Sequence, residues 1–158
     1  MAAHPGGPPG RAGRRPPPPG LTRADPGTRP GPTEGVSTQR ITMKDGANGA
    51  LPHHHERSAE MLYVLDGAAE FLSGDQVITG EAGDLIVVPP RTAHAFAAVP
   101  GSDADLLIVN TPGVERFEYF CHLQRIALGE LSPESILEVQ ERYDNHFLSG
   151  PAWDGRRR

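Results

Sequence analysis

Three histidines and one glutamate have the types and the spacing of a set of metal ligands. His53 and His55 are separated by one residue, Glu60 follows them, and His94 lies beyond a segment punctuated by glycine and proline. Neutral imidazoles and a carboxylate bind Fe, Mn, Ni, Co, Cu or Zn ions, and the absence of thiolates disfavours a closed structural zinc site. Four protein ligands on an ion that prefers five or six predict a centre open to water, dioxygen or substrate.

Strand geometry decides whether these four side chains can meet. Alternate residues of a strand point to the same face, so we expect His53 and His55 to share one side while His54 faces away. Glu60 begins the next strand, and its carboxylate is also the candidate general base. Residues that lie an even number of positions from Glu60 or His94 on the same strand share the face of that ligand. Several of them are apolar, which predicts an apolar barrel interior around the ion. Its expected substrate-lining residues are Leu62, Val64, Phe71, Phe96 and Val109.

Residues 36–112 have the pattern of several short strands. The segment VSTQRITM alternates apolar and polar residues, and further strands are expected at Glu60–Leu65, AAEFLS, QVITG, LIVVPP, AHAFAAV and DLLIVN. The dipeptide Asp66–Gly67 is expected to end one strand in a tight hairpin, and Gly74–Asp75 to join the next two. Strands spaced about 8 to 12 residues apart with turn signals between them predict an all-β sandwich or barrel.

The two flanks of this region have different compositions. Residues 1–35 are dominated by Pro, Gly and Arg, which predicts a disordered tail. Residues 113–158 are predicted to form a helical extension, with one helix over Val114–Leu128. A second helix is expected to be capped by Ser132, to begin at Pro133 and to carry an apolar stripe as far as Phe147. Trp153 is expected to pack back onto the body of the protein.

Composition excludes several classes of function. A chain of 158 residues is enough for one ordinary domain, and its formal charge of -5 argues against a nucleic-acid partner. No apolar run approaches the about 20 residues of a membrane span, so no membrane partner is expected. Cys121 is the only cysteine, which excludes an internal disulfide. The opening residues contain arginine without a continuous apolar region behind it and so do not resemble a secretory signal, and we expect a cytoplasmic protein.

Two stretches resemble the sequence motifs of the cupin family. The stretch Leu51–Gly67 is similar to G-x5-H-x-H-x3,4-E-x6-G, with His53, His55 and Glu60 in the metal-ligand positions, although Gly46 lies one residue too early. The second motif, G-x5-P-x-G-x2-H-x3-N, resembles the stretch from Gly83 to Ala98 and places His94 as the fourth ligand. Arg91 stands there in place of glycine and Ala98 in place of asparagine, departures that concern loop shape and not the ligands.

The resemblance covers about Thr38 to Asn110 and implies a fold. It implies an all-β cupin double-stranded β-helix, a jelly-roll barrel with a divalent transition metal inside, often assembled as a homodimer. The segment TPGVERFEYF and the helix after it are similar to small single-domain bacterial cupins related to quercetinase-like dioxygenases and polyketide-pathway cupins.

Cupin chemistry is diverse, and a fold does not choose among its reactions. The leading hypothesis is a metal-dependent dioxygenase-type enzyme that acts on a small apolar or aromatic molecule. One alternative is a non-oxidative isomerase or polyketide cyclase, and another is a ligand-binding cupin without turnover. Sugar-phosphate chemistry ranks lower, because only Arg91 and Arg40 are expected near the barrel to bind a phosphate.

Overall fold

The computed structural model describes residues 35–156, in which eight β-strands are paired in antiparallel fashion. The strands are β1 (Ser37–Met43), β2 (Asn48–His54), β3 (Ala59–Ser73), β4 (Gln76–Glu81), β5 (Leu85–Val88), β6 (His94–Ala98), β7 (Ala104–Thr111) and β8 (His146–Phe147). The predicted all-β jelly roll with C-terminal helices is confirmed. Residues 1–34 of the predicted tail lie outside the described residues.

The longest strand, β3, organises the sheet. The strand order is β1-β7-β3-β6-β2-β8, and both β4 and β5 also pair with β3. The first part of β3 pairs with β5 and β7, whereas its last part pairs with β4 and β6. Because one strand belongs to both halves, the sheet curls into a half-barrel around it.

The prediction that a strand ends at Asp66–Gly67 is wrong. The strand continues through both residues to Ser73, with an irregularity in its register between Val64 and Asp66. Gly67 has φ of +73°, and a Cβ there would lie 2.0 Å from the carbonyl oxygen of Asp103. Only glycine fits this close approach, which bends β3 from one half of the barrel into the other. The predicted turn at Gly74–Asp75 does join β3 to β4.

The hydrophobic core lies between the two halves of the barrel. Its buried members come from β1, β3, β5, β6 and β7, and they alternate with exposed residues along most of these strands. They are Met43, Leu62, Val64, Ala69, Phe71, Val88, Phe96, Ala98, Ala104, Leu106 and Ile108. The alternation is the pattern expected of a sheet with one face against the core.

The helices follow the last long strand. They are α1 (Arg116–Ala127), a 3₁₀ helix (Pro133–Val139), α2 (Gln140–Tyr143) and α3 (Pro151–Arg156). The first predicted helix is therefore present. None of the helices in the described part of the chain has the length and hydropathy needed to cross a membrane.

The second predicted helix is only partly correct. It begins at Pro133 as expected, but the Ser132 side chain makes no capping hydrogen bond. The helix stops because Asp144 has φ of +50°, a left-handed conformation that ends a helix. Phe147 consequently lies on β8, which pairs with His53 and His54 of β2. Beyond it Trp153 is 2% exposed and packs on β3 and β6, as expected.

Candidate metal centre

The four predicted metal ligands converge inside the barrel. His53 of β2 is the direct cross-strand partner of His94 of β6, His55 follows β2, and Glu60 is the second residue of β3. One ligand atom from each lies within 4.8 Å of the others, and all four residues are at most 3% exposed. The cluster therefore has the size at which one ion contacts every member.

The three imidazoles are oriented by backbone carbonyls on their outer side. The Nδ1 atoms of His53 and His94 each lie 2.8 Å from a carbonyl oxygen, of Leu51 and Thr92 respectively. His55 Nδ1 makes the corresponding bond to the carbonyl of Asp144. A carbonyl only accepts, so each Nδ1 carries the hydrogen and the Nε2 atom is the one available to a metal.

His54 has a different environment, as its position between the other two histidines predicts. Its ring stacks on that of His146 with 5.0 Å between centroids, and its Nε2 lies 3.5 Å from a carboxylate oxygen of Glu56. It is partly exposed. The triplet of histidines thus divides into two that face the cluster and one that faces away from it.

The Glu60 carboxylate is held by two neighbours. The Asn110 amide donates to Oε1 at 3.0 Å, and His94 Nε2 lies 2.9 Å from Oε2. Burial raises the pKa of Glu60, but hydrogen bonds and charge interactions with His55 and His94 outweigh it and hold the pKa well below its usual value. Glu60 is therefore a carboxylate at neutral pH. Oε2 of Glu60 and Nε2 of His94 are close enough for one ion to contact both.

The protonation states of His53 and His55 also suit a metal. Burial, reinforced by the neighbouring His94, holds the pKa of His53 well below the usual value for histidine. Burial likewise lowers the pKa of His55. Neutral imidazoles and one ionised carboxylate are the states that a divalent transition ion requires. The donor set, its orientation and its burial together fit such an ion.

A buried arginine that the sequence analysis did not identify completes the cluster. Arg116, at the start of α1, is 7% exposed, and its Nη2 lies 2.9 Å from Nε2 of His55 and 3.7 Å from Oε1 of Glu60. Its Nε lies 3.3 Å from the Asn110 side-chain oxygen, and its Nη1 lies 3.5 Å from that of Asn145. The only signal in the sequence is that Arg116 lies near the start of the predicted helix Val114–Leu128.

The two arginines that were expected near the barrel do not reach the cluster. Arg40 pairs with Asp105, and the exposed Arg91 donates to a carboxylate oxygen of Glu56 at 2.8 Å. Arg91 has φ of +65°, so it adopts the left-handed conformation that the glycine of the motif would favour. Its backbone N–H donates to the carbonyl of His55 at 2.7 Å, which ties this turn to a ligand.

The residues expected to line the interior fall into two groups. Leu62, Val64, Phe71 and Phe96 are at most 3% exposed and belong to the core cluster of the barrel. Val109 alternates with the buried Ile108 and Asn110, so it lies on the outer face of β7 and is only half-buried. The structure does not bring Val109 together with the other four.

Asp144 holds the loop that carries His55. Its carboxylate accepts hydrogen bonds from the backbone N–H groups of Glu56 at 2.9 Å, Arg57 at 3.2 Å and Ser58 at 3.2 Å. Its own carbonyl accepts from His55, and the residue is 1% exposed. The C-terminal segment is thus connected directly to a ligand of the cluster.

Comparisons with known proteins find one family model and several solved structures that are similar to this chain. Residues 39–110 match the family model for the cupin domain. The solved structure of KdgF from Halomonas sp. is 27% identical, with 52% of this chain and 73% of that chain covered and a TM-score of 0.48. A cupin protein from Bacteroides fragilis is 21% identical, with 48% and 64% covered and a TM-score of 0.47.

A third similar structure is that of Pac13, a nucleoside dehydratase from Streptomyces. It is 20% identical, with 56% of this chain and 67% of that chain covered and a TM-score of 0.46. A search of curated proteins finds none that matches this chain.

Proposed function

The chain belongs to the cupin superfamily, and from this premise we propose that it is a metal-dependent enzyme of dioxygenase type acting on a small apolar or aromatic molecule. The observation that carries the proposal is the buried cluster of three imidazoles and one carboxylate, all within 4.8 Å. Fe, Mn, Ni, Co, Cu and Zn are the candidate ions for such donors. Four protein ligands leave one or two positions of a five- or six-coordinate ion for substrate and dioxygen.

The protein's own residues have separable roles in this proposal. When bound, the ion supplies a Lewis-acidic and, for a redox-active metal, electron-transferring centre. The carbonyls of Leu51, Thr92 and Asp144 fix the imidazoles. Glu60 is the proposed general base, because its carboxylate is ionised and its Oε2 faces the cluster. The proposed apolar lining is Leu62, Val64, Phe71 and Phe96.

Oxygen dependence is the property that tests this proposal. We expect protein loaded with a redox-active ion to consume dioxygen in a screen of phenolic and enolic compounds, and turnover of the compound found to stop without oxygen. Protein loaded with zinc is the control, because zinc binds the same ligands but does not change its redox state. Oxygen-electrode traces and incorporation of isotopically labelled oxygen into the product are the measurements. Undiminished anaerobic turnover would contradict the dioxygenase proposal.

A non-oxidative isomerase or polyketide cyclase is the second candidate, and one observation favours it. Arg116 places a guanidinium 3.7 Å from Glu60, where it can stabilise the negative charge of an enolate after Glu60 removes a proton. Such an enzyme works without oxygen and with zinc, so the same experiment separates it from the first candidate. The third candidate, a ligand-binding cupin without turnover, is favoured by the close packing of the proposed lining residues in the core.

The outer face of the barrel supports the further proposal of a homodimer. Tyr63 of β3 is paired with both Leu85 of β5 and Leu107 of β7, and Val87 of β5 lies in the next row. All four side chains are between 37% and 58% exposed. An apolar patch that continues across three strands is typical of an interface, and a second copy is the partner that presents the same patch.

Charge placed on this face is expected to separate the subunits. We expect Val87→Glu and Leu107→Glu to convert a dimer of the wild-type chain into a monomer, because each buries a carboxylate in the apolar interface. Light scattering coupled to size-exclusion chromatography measures the mass. Ile78→Glu is the matched control, since Ile78 is 43% exposed on β4. A wild-type monomer, or a dimer unchanged in both variants, would contradict this interface.

The proposed compartment is the cytoplasm. Cys121 on α1 is a free thiol in the structure, and the sequence contains no second cysteine with which it could form an internal disulfide. A protein without disulfides suits a reducing compartment. Fractionation of the source cells is the direct test of this location.

A further inference from the structure

The guanidinium of Arg116 lies inside the ligand cluster although the residue belongs to α1, outside the barrel strands. It is 7% exposed and reaches His55 and Glu60 at 2.9 and 3.7 Å. Its Cζ lies 5.5 Å from the centre of the Tyr119 ring, which packs against one of its faces. A buried arginine loses its hydration, so an unmatched positive charge here is costly.

The charges of the cluster do not balance once a metal is present. Within residues 35–156, Glu60 is the one carboxylate recorded within 4 Å of the Arg116 guanidinium. A divalent ion and a guanidinium carry three positive charges against this single negative charge, and the imidazoles are neutral ligands. A buried excess of two positive charges favours the binding of an anion beside the ion.

One hydrogen-bond donor of Arg116, Nη2, also lacks a suitable acceptor in the metal-bound protein, whereas Nε and Nη1 keep the side-chain oxygens of Asn110 and Asn145. Nη2 donates to Nε2 of His55, whose lone pair is the one that a metal uses. Binding of the ion therefore deprives Nη2 of its acceptor while leaving it directed at the cluster. Beside it, Asn145 is 3% exposed and accepts from Nη1, yet its own Nδ2 is buried without a hydrogen-bond partner.

We propose that Arg116 and Asn145 form a binding site for an anionic oxygen of the substrate, specifically a carboxylate, next to the metal. In this site Nη2 of Arg116 would donate to one oxygen of the carboxylate and the unpartnered Nδ2 of Asn145 to the other, and the bond from the guanidinium would be charge-assisted. The substrate class is then a small apolar or aromatic carboxylic acid. This inference rests on the proposed function, because it requires the ion to occupy the four ligands.

The alternative role of Arg116 is structural. Through Asn110 and Asn145 it connects α1 to β7 and to the segment after α2, and such a connection requires no ligand. A structural role predicts that replacing Arg116 changes stability but not the discrimination between a charged and a neutral ligand. Discrimination is therefore the quantity to measure.

The experiment uses the full chain loaded with Cu(II), whose spectrum reports directly on ligands that bind beside it. Benzoate and its neutral isostere benzamide are titrated, with visible absorption, electron paramagnetic resonance and calorimetry as readouts. We expect wild-type protein to bind benzoate at least about tenfold more tightly than benzamide, and Arg116→Met to lose this preference while keeping its copper. Arg116→Lys keeps the positive charge but lacks the planar guanidinium, and it is expected to retain part of the preference for benzoate.

Two further variants complete the design. Asn145→Ala is expected to weaken benzoate binding by a smaller factor, about threefold, because it removes one neutral donor. Arg125→Met is the matched control: it makes the same substitution in α1 at a side chain that is 55% exposed and paired with Glu130. It is expected to behave as wild type. If Arg116→Met does not fold, the comparison of Arg116→Lys with wild type decides whether the preference for benzoate depends on Arg116.

The possible failures are distinguishable. Copper bound by wild-type protein with equal affinity for benzoate and benzamide would overturn the carboxylate site and leave the metal proposal intact. A preference for benzoate that survives in both Arg116 variants would overturn the assignment to Arg116. No copper in wild-type protein would overturn both proposals, and copper gained in Arg116→Met would show that the guanidinium takes the place of the ion.

Discussion

Replacing His53 or His55 with alanine is expected to lower the affinity for metal by more than about 100-fold, whereas His54→Ala is expected to leave it unchanged. Loss of an outer hydrogen-bond partner of a metal site typically costs 10- to 100-fold, and loss of a ligand removes a coordinate bond as well. His53 and His55 belong to the cluster, but His54 stacks on His146. The three variants remove the same side chain from adjacent positions.

Metal analysis of protein purified without added metal, followed by competition titration against a chelator, measures this difference. His94→Ala is expected to behave like His53→Ala, because both residues belong to the ligand cluster. Circular dichroism shows whether each variant is folded. Equal loss of metal in all three histidine variants of the triplet would mean that the assignment of faces is wrong.

Local pattern was sufficient to predict the inner surface of the barrel. His53 and His94 are paired in register, and the parity of β3 places Glu60, Leu62 and Val64 on the interior as expected. This succeeds because a strand repeats every two residues and a one-residue slip would expose its whole apolar face. The same reasoning fails for Val109. Ile108 and Val109 are neighbouring apolar residues, and the sequence alone does not say which of the two faces the interior.

The predictions that failed depend on contacts between distant residues. Gly67 looked like the end of a hairpin because Asp-Gly is a turn dipeptide, but its conformation is set by the close carbonyl of Asp103. The sequence around Arg116 indicates a helix and not that its guanidinium enters the barrel. Phe147 fits the apolar spacing of the second predicted helix, but the left-handed conformation of Asp144 ends that helix before Phe147. In each case tertiary structure overrides a local preference.

Asp144 makes four contacts with distant residues, three through its carboxylate and one through its carbonyl. Removing its side chain is the second change with a large expected effect. Asp144→Ala is expected to reduce the free energy of unfolding by about 3 kcal/mol, because three backbone N–H groups of residues 56–58 lose a charged acceptor. These three residues form the loop between His55 and the start of β3. We therefore also expect the affinity for metal to fall by about 10- to 100-fold.

Two substitutions separate the causes of this loss. Asp144 has φ of +50°, which alanine tolerates poorly, so Asp144→Gly removes the carboxylate without adding backbone strain. Asparagine adopts the left-handed conformation more readily than alanine, so Asp144→Asn keeps the backbone conformation and one acceptor oxygen but removes the charge. We expect the order of stability to be wild type, then Asn, then Gly, then Ala. Asp154→Ala, at an exposed aspartate of α3, is the control and is expected to change stability by less than about 0.5 kcal/mol.

Urea denaturation of the metal-free protein measures stability, and chelator competition measures metal affinity in the same variants. The two readouts test different consequences, because the Asp144 carbonyl that accepts from His55 is present in every variant. If the carboxylate acts by fixing the loop that carries His55, metal affinity must fall in Asp144→Gly together with stability. Stability lost without any change in metal affinity would show that the backbone carbonyl alone positions His55. Neither quantity changing in Asp144→Gly would show that the three N–H groups find other acceptors.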